Sequence, residues 1–160
     1  HHGATGLVFG IANRDGALDG SAMRRLATQA TGLSMTCHRV IDEVPNRQQA
    51  LDALVGLGFD HVLTSGGCDT AVAGVTELAR SVEHCADTTL RVMVGGGVRP
   101  DNIAWLRNQT GAEWFHTSAS ESVDESPRAS AYAWPLRRTS QAIVSACREA
   151  LARPAGEGVR

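Results

Sequence analysis

One stretch decides the fold of this chain: Met93-Val94-Gly95-Gly96-Gly97-Val98-Arg99-Pro100-Asp101-Asn102. It predicts the end of a buried strand, a turn of three glycines, and a helix that opens at Pro100, where the missing N–H of proline costs nothing. Glycines accept positive φ and let a ligand approach bare backbone N–H groups. Such a turn before a helix is a candidate seat for an anion such as phosphate, although three glycines also serve simply as a tight strand-to-helix connection.

Strand and helix patterns alternate on both sides of this turn. Strands are predicted at residues 6–11, 34–40, 59–65, 90–94 and 113–118, and helices from residue 19 or 21 and at 47–57, 69–86, 100–110 and 139–152. Asn46 is a suitable N-cap for the second helix, and Gly58 a suitable left-handed stop. Strand starts recur every ~23–31 residues, which is the βαβ rhythm of a parallel sheet.

Five βα units fit either a doubly wound sheet or part of an eight-fold β/α barrel. A complete barrel needs ~200 residues or more, so length alone favours the doubly wound sheet. Every predicted strand, however, ends in glycine or polar residues, at positions 10, 38–39, 65–66, 95–97 and 116–118. Function spread over all carboxyl ends is typical of a barrel, whereas a doubly wound sheet concentrates it at one switch point. We therefore predict a single partial β/α-barrel domain over residues 1–160, with a long loop at 119–136 and a frayed tail at 154–160.

The composition is that of a globular protein of 160 residues with a formal net charge of −2. Near-neutral charge argues against nucleic acid or an anionic membrane as the main partner. No apolar run reaches the ~20 residues needed to span a bilayer, and no signal-peptide pattern opens the chain. The four cysteines form no CxxC pair, which indicates reduced thiols and a cytoplasmic location. His1 and His2 are either native or the remnant of a tag.

All fifteen basic residues are arginine. A Schiff-base mechanism requires a lysine amine, so that chemistry is excluded within this chain.

Several motifs in their order and spacing resemble the CutC family of copper-homeostasis proteins, which have a β/α-barrel fold. The matching motifs lie between residues 3 and 119: Gly6-Leu7-Val8-Phe9-Gly10, Thr36-Cys37-His38-Arg39-Val40-Ile41-Asp42, Ala50-Leu51-Asp52-Ala53-Leu54, Leu57-Gly58-Phe59-Asp60, Leu63-Thr64-Ser65-Gly66, Gly95-Gly96-Gly97-Val98-Arg99-Pro100-Asp101-Asn102-Ile103 and Phe115-His116-Thr117-Ser118-Ala119. The resemblance covers strands four to eight of that barrel, and the first three are missing. Cys37 stands where the family usually has an aromatic residue. The resemblance implies a cytoplasmic protein of copper homeostasis that binds copper ion.

Copper(I) prefers thiolate, thioether and imidazole ligands. Neighbours on a strand point to opposite faces, so Cys37 and His38 are poorly placed to share one ion. Adjacent helix residues stand ~100° apart, which counts against His84 with Cys85. A site assembled from distant strands would use Cys68, His38 and His116, although each cysteine also suits a small buried position.

The two strand-end histidines are candidates for chemistry. If Met35 and Phe115 point at the helices, then Thr36, His38, His116 and Ser118 point into the barrel. Imidazole there could bind metal, act as a catalytic acid or base, or hydrogen-bond a substrate. The alternative is a histidine whose ring is satisfied by backbone at a strand end.

An anion site is predicted at the same rim, since phosphate commonly binds after the seventh and eighth strands of β/α barrels. Its candidate residues are Gly95, Gly96, Gly97, Thr117 and Ser118, extended by Thr64, Ser65 and Gly66, with Arg39 and Asp42 either binding an anionic ligand or pairing with each other.

Two functions follow. The first is copper homeostasis with copper bound through cysteine and histidine side chains. The alternative is a β/α-barrel enzyme of unassigned activity on a small anionic or phosphorylated metabolite, or a fragment that has lost activity. Five βα units leave two open sheet edges, which predicts a homo-oligomer or poor stability alone.

Overall fold

A five-stranded parallel sheet forms the centre of the protein. The computed structural model describes residues 3–123 and 136–153. The strands are β1 (Gly6–Phe9), β2 (Ser34–Cys37), β3 (His61–Thr64), β4 (Arg91–Val94) and β5 (Trp114–Phe115), and their spatial order is their chain order. Every neighbouring pair is parallel. A doubly wound sheet reverses its strand order at a switch point, so this unbroken order confirms the predicted segment of a β/α barrel.

Helices follow the strands: α1 (Gly20–Gln29), α2 (Arg47–Gly56), α3 (Val75–Cys85), α4 (Ile103–Thr110) and α5 (Gln141–Ala152), with a short 3₁₀ turn at Arg39–Asp42 directly after β2. Two helices begin at side chains that cap them. The Asp19 carboxylate accepts a hydrogen bond from the Ala22 N–H at 2.9 Å, and the Asn46 side chain accepts one from the Gln49 N–H at 3.1 Å. These bonds satisfy helix donors that have no partner within the helix, which is why each helix starts there.

The core lies between the sheet and the helices. Strand alternation places Met35 and Cys37 on the helix side, and the pairing of Cys37 with Val62 and of Val62 with Val92 keeps that face continuous. Leu54 of α2 packs there with no exposed surface. Truncating such a leucine to alanine removes about 2–5 kcal/mol of folding free energy.

The other face of the sheet, which corresponds to a barrel interior, is covered less. Leu63 and Met93 pair across β3 and β4 on that face and are half-buried, while Trp114 is 46% exposed. The described residues therefore form the outer shell of a barrel wall whose inner surface stays accessible.

Several predicted boundaries were wrong. Pro100 does not open a helix: α4 starts at Ile103, because the Asn102 side chain holds Gly97 and Arg99 in a turn. The helix predicted at 69–86 starts only at Val75, after a series of turns.

The region predicted as a loop over 119–136 contains a short strand near its start, and a second strand that pairs with it follows the region directly. These strands are β6 (Ser120–Ser122) and β7 (Arg137–Thr139), which pair antiparallel through backbone hydrogen bonds. The last helix therefore starts at Gln141 instead of residue 139. Residues 124–135, the predicted tail at 154–160, and His1 and His2 lie outside the described residues.

Candidate functional site

A cavity of about 250 Å³ lies at the carboxyl ends of the strands, beside the turn between β4 and α4. We call it the glycine-turn cavity. Six predicted site residues line it: Arg39, Gly96, Gly97, His116, Thr117 and Ser118. A second cavity of about 250 Å³ lies at the opposite end of the sheet, between Cys85, Leu90 and Trp114. Because β/α barrels place their chemistry at the carboxyl ends of the strands, the glycine-turn cavity is the candidate site.

The glycine turn presents backbone donors to this cavity. Gly96 and Gly97 have φ values of 97° and 75°, which glycine adopts without strain. The Gly96 carbonyl accepts from the Ala71 N–H at 2.8 Å, and Asn102 fixes the rest of the turn by donating to the Gly97 carbonyl at 2.9 Å. The N–H groups of Gly96, Gly97 and Val98 donate no hydrogen bond to any residue the structure describes. Successive N–H groups of this kind form a concavity that suits an anion.

Arg39 reaches the cavity from the 3₁₀ turn after β2. Its Nε donates to Oδ2 of Asp42 at 2.7 Å, and its Nη2 donates to Ser65 Oγ at 2.6 Å and to the Cys68 carbonyl at 3.1 Å. Three hydrogen bonds to fixed partners hold the guanidinium in one orientation. Its remaining nitrogen, Nη1, lies 3.5 Å from the position a Cβ would take on Gly96.

Asp42 is the centre of a buried hydrogen-bond network behind Arg39. Besides Arg39, its carboxylate accepts from the Thr64 hydroxyl at 2.5 Å, the Ser65 N–H at 3.1 Å and the Gly67 N–H at 2.9 Å. Burial by itself would raise the pKa of Asp42, but the hydrogen bonds from Thr64, Arg39 and the backbone together lower that pKa below its ordinary value. Asp42 therefore stays ionised and keeps the network intact.

Gly66, Thr64 and Ser65 belong to this network and do not line the cavity. The Gly66 N–H donates to the Thr64 hydroxyl at 2.9 Å, and both Thr64 and Ser65 are fully buried. Their role in the site is to support Arg39. Gly95 is also buried at the rim, where a Cβ would lie 3.4 Å from His116 Cβ.

The two predicted histidines do not share the cavity. Met35 is buried in the core and Phe115 packs against buried core residues, so both point at the helices, as the prediction for the histidines assumed. His116 lines the cavity, but the Nδ1 of His38 accepts from the Val40 N–H at 3.1 Å and its ring lies against Gly10. His38 caps the 3₁₀ turn after β2 and is not among the residues that line the cavity, so the structure does not bring the two imidazoles together there.

The predicted copper ligands are likewise not assembled. Cys68 contributes its carbonyl to Arg39, and His38 uses a ring nitrogen for its cap. Within residues 3–123 and 136–153, no group of three or more His, Cys, Asp or Glu side chains is placed to hold a metal ion. Cys68, His38 and His116 therefore do not form a three-ligand copper site in this part of the chain.

Hydroxyls complete the cavity wall. Thr117 is structural, because its hydroxyl donates to the Val98 carbonyl at 2.8 Å and accepts from the Ala119 N–H at 3.1 Å. Ser118 Oγ lies 3.0 Å from Ser120 Oγ, which also accepts from Arg137 Nε at 2.9 Å. The wall thus offers paired hydroxyls near the bare amides.

Three residues of the site were missed from the sequence. Arg99 lines the cavity, and its place directly after the glycines was a usable signal. Asn102 fixes the turn, because its side chain accepts a hydrogen bond from the backbone N–H of Arg99, three residues before it. Asparagine commonly bonds to nearby backbone groups in this way. Ser120 gave no signal, because the β6–β7 pair that places it was not predicted.

No helix in the described part of the chain has the length and apolar character that crossing a membrane requires.

Comparison with known proteins agrees with this architecture. A CutC protein of Streptococcus agalactiae, whose name assigns it to copper homeostasis, has a solved structure that superposes with a TM-score of 0.67 at 27% identity, over 71% of this chain and 56% of that one. Two curated relatives are CutC family proteins. The one from Caulobacter vibrioides is 40% identical over 156 residues, covering 94% of this chain and 63% of its own length. The one from Parabacteroides distasonis is 44% identical over 118 residues, covering 74% and 48%.

The chain thus spans about half to two thirds of the length of these relatives. The model of the CutC family matches residues 1–121, which include the glycine turn, Arg39, Asp42 and His116. On the fold, the family match and these identities together, the chain belongs to the CutC family.

Proposed function

We propose that this chain serves copper homeostasis, the role that the name of the S. agalactiae protein carries, by binding a small anionic ligand in the glycine-turn cavity. One observation carries the proposal: the Arg39 guanidinium and three backbone N–H groups without a described partner meet at one cavity. Donors fixed before a ligand arrives cost little to order, so they favour binding.

The link to copper is proposed to be indirect. Copper(I) sites need several soft ligands around one point. Cys68, His38 and His116 are the residues the sequence offers; they are not grouped at one point among the described residues, and one ring nitrogen of His38 accepts from the Val40 N–H. We therefore derive no copper chemistry from these side chains, and the ligand that the cavity binds is the anion.

A catalytic role for His116 is the second candidate. Its side chain lines the cavity beside Gly95, within reach of a ligand held by the glycine turn. Imidazole is a common catalytic acid or base. In this version of the function, His116 would move a proton of the bound metabolite, and His38 would take no part.

We infer a cytoplasmic location from the thiols. All four cysteines are free, and Cys37, Cys85 and Cys147 are buried at separate places in the fold. Reduced, dispersed thiols are typical of a reducing compartment.

Self-association is proposed from the sheet edges. Among the described strands, β1 and β5 each pair on one side only. Leu7 and Val8 of β1 are 39% and 66% exposed, so the edge is both open and apolar. Such edges favour pairing with another chain.

Two titrations of the reduced protein test the proposed function. Calorimetry with inorganic phosphate should show saturable binding that Arg39→Gln weakens and Arg25→Gln, on the exposed face of α1, does not. Competition for Cu(I) against a chelator should show no stoichiometric site that depends on both Cys68 and His116. Stoichiometric Cu(I) binding that is lost in Cys68→Ser and in His116→Ala, with no anion binding, would overturn the proposal.

A further inference from the structure

We propose that the glycine-turn cavity binds a tetrahedral oxyanion, the phosphate group of a small phosphate monoester, and that it prefers this group to a carboxylate because Asp42 and Ser65 leave Arg39 a single free nitrogen, which acts together with the separate backbone donors of the glycine turn. The inference rests on the proposed function and names the class of its ligand. Asp42 is then a positioning residue, which acts on the ligand only through Arg39.

The hydrogen bonds of Arg39 carry the first step. A guanidinium has five N–H bonds, and a carboxylate is normally bound by two parallel ones. Here Nε is used by Asp42, and Nη2 is used by Ser65 and the Cys68 carbonyl. Only Nη1 remains, so Arg39 contacts a ligand through one nitrogen and lacks the two-nitrogen fork with which arginine commonly binds carboxylate and phosphate alike. The preference between these groups then depends on the donors that surround Nη1.

The glycine turn supplies the donors that a tetrahedral group needs from another direction. Gly96, Gly97 and Val98 line the cavity together with Arg39, and their N–H groups donate to no residue the structure describes. A Cβ on Gly96 would lie 3.0 Å from Ser65 Cβ and 3.5 Å from Arg39 Nη1, so glycine leaves the space between the turn and the guanidinium open. Single donors arriving from several directions match the divergent oxygens of phosphate better than the planar pair of a carboxylate.

The charge around the cavity favours a dianion. Arg39 and Arg99 line it, and no carboxylate among the described residues does. The nearest acidic group in the network, Asp42, directs its oxygens at Arg39 Nε, Thr64, Ser65 and Gly67, away from the cavity. A doubly charged group gains more from such surroundings than a singly charged one.

The volume of the cavity and the hydroxyl groups that line it limit the rest of the ligand. About 250 Å³ lies below the ~300–1,000 Å³ of sites for drug-sized molecules, so the ester carries few heavy atoms. Ser118 and Ser120, whose hydroxyls lie 3.0 Å apart, can hydrogen-bond to hydroxyl groups on it. The geometry therefore fits a short, hydroxylated phosphate ester.

The test compares inorganic phosphate, sulfate and acetate by calorimetry on the whole 160-residue chain. We expect phosphate and sulfate to bind about tenfold more tightly than acetate, or better, which is the effect of one charge-assisted hydrogen bond. Gly97→Ala should weaken phosphate binding. Gly111→Ala is its matched control, because Gly111 has a similar φ of 71° but closes α4 away from the cavity.

The restriction on Arg39 has its own measurement, which a merely structural role would not move. Ser65→Ala removes one acceptor of Nη2, the nitrogen beside Nη1 at the end of the guanidinium, so an end-on fork becomes available and the preference for phosphate over acetate should fall. Asp42→Ala removes the acceptor that holds Nε and frees the whole guanidinium to turn, so it makes the same prediction and tests Asp42 as the positioning residue.

The outcomes separate the two proposals. Acetate binding as tightly as phosphate would overturn the oxyanion inference but leave the anion-binding function standing. Phosphate binding that Gly97→Ala leaves unchanged would overturn its placement in this cavity. Binding of none of the three anions would overturn both.

Discussion

The Nε of Arg39 and the Oδ2 of Asp42 lie 2.7 Å apart across a single 3₁₀ turn, with the Asp42 side chain 4% exposed and that of Arg39 42% exposed. The pair therefore has a buried end and an end that reaches solvent. The buried carboxylate holds the base of the guanidinium, and the exposed end of the guanidinium is available to a ligand.

Asp42→Asn should destabilise the fold by about 2–3 kcal/mol, because an amide turns one acceptor into a donor and leaves buried donors of Thr64, Ser65 or Gly67 without a partner. Urea denaturation measures the effect. Asp19→Asn is the control, since asparagine caps a helix as well as aspartate does and should change stability little. Equal stability of Asp42→Asn and wild type would contradict the network.

Lowering the pH should remove the stabilisation that the ionised Asp42 carboxylate gives the folded protein. The folded-state pKa of Asp42 is lowered, so its stabilisation is fully present above the ordinary aspartate value of 3.8 and is lost as pH falls through the lower folded-state value. Urea melts at steps downward from about pH 5 should therefore show the difference between wild type and Asp42→Asn shrinking. A difference that stays constant to the lowest pH at which the protein folds would show that this carboxylate is not responsible.

Thiol labelling should distinguish the cysteines. Burial raises the pKa of Cys37 to about 12 and, together with the nearby charge of Asp52, that of Cys85 to about 11. Because the thiolate is the reactive form, both should resist iodoacetamide at pH 8 until the protein unfolds, while half-exposed Cys68 reacts first. Peptide mass spectrometry over time gives the order. Labelling of native Cys37 at the rate of the denatured protein would contradict its burial.

Two glycines should respond to alanine in opposite ways. Gly56, in α2, has open space around it, so Gly56→Ala should stabilise the protein by about 0.5–1 kcal/mol through better helix propensity. Gly74 packs against the Ser65 carbonyl, so Gly74→Ala forces backbone to move and should cost about 1–3 kcal/mol. Thermal melts of the two variants measure both changes. An unchanged melting temperature for Gly74→Ala would show that Gly74 and the Ser65 carbonyl are not in close contact in solution.

Association through β1 should be sensitive to charge. Val8→Lys places a cation on the open strand edge, which commonly blocks strand pairing, so it should reduce the concentration dependence of mass in sedimentation equilibrium. Val72→Lys is the control, because Val72 is 43% exposed but lies before α3, away from both sheet edges. A wild-type protein that stays monomeric throughout the micromolar range would contradict association through this edge.

The sequence was sufficient for the parts of the structure that depend on neighbours along the chain. Alternating strand and helix patterns gave a parallel sheet, the strand ends indicated a barrel segment, and Asn46 marked the start of α2, all as observed. The glycine run and His116 were predicted as site residues, and the structure places them beside one cavity. Each of these signals is local, since it follows from the period of a strand or helix or from the conformations open to glycine.

The tertiary structure alone decided which polar groups are already occupied. His38 follows the strand alternation of the sequence, yet its Nδ1 accepts from the Val40 N–H, and the backbone carbonyl of Cys68 accepts from Arg39. Asp42 meets Thr64 and Gly67 more than twenty residues away, and only that meeting fixes Arg39 with one nitrogen left over. A hydrogen-bonding group can be read from the sequence, but its partner is set by distances between distant segments, and the partner determines what remains for a ligand.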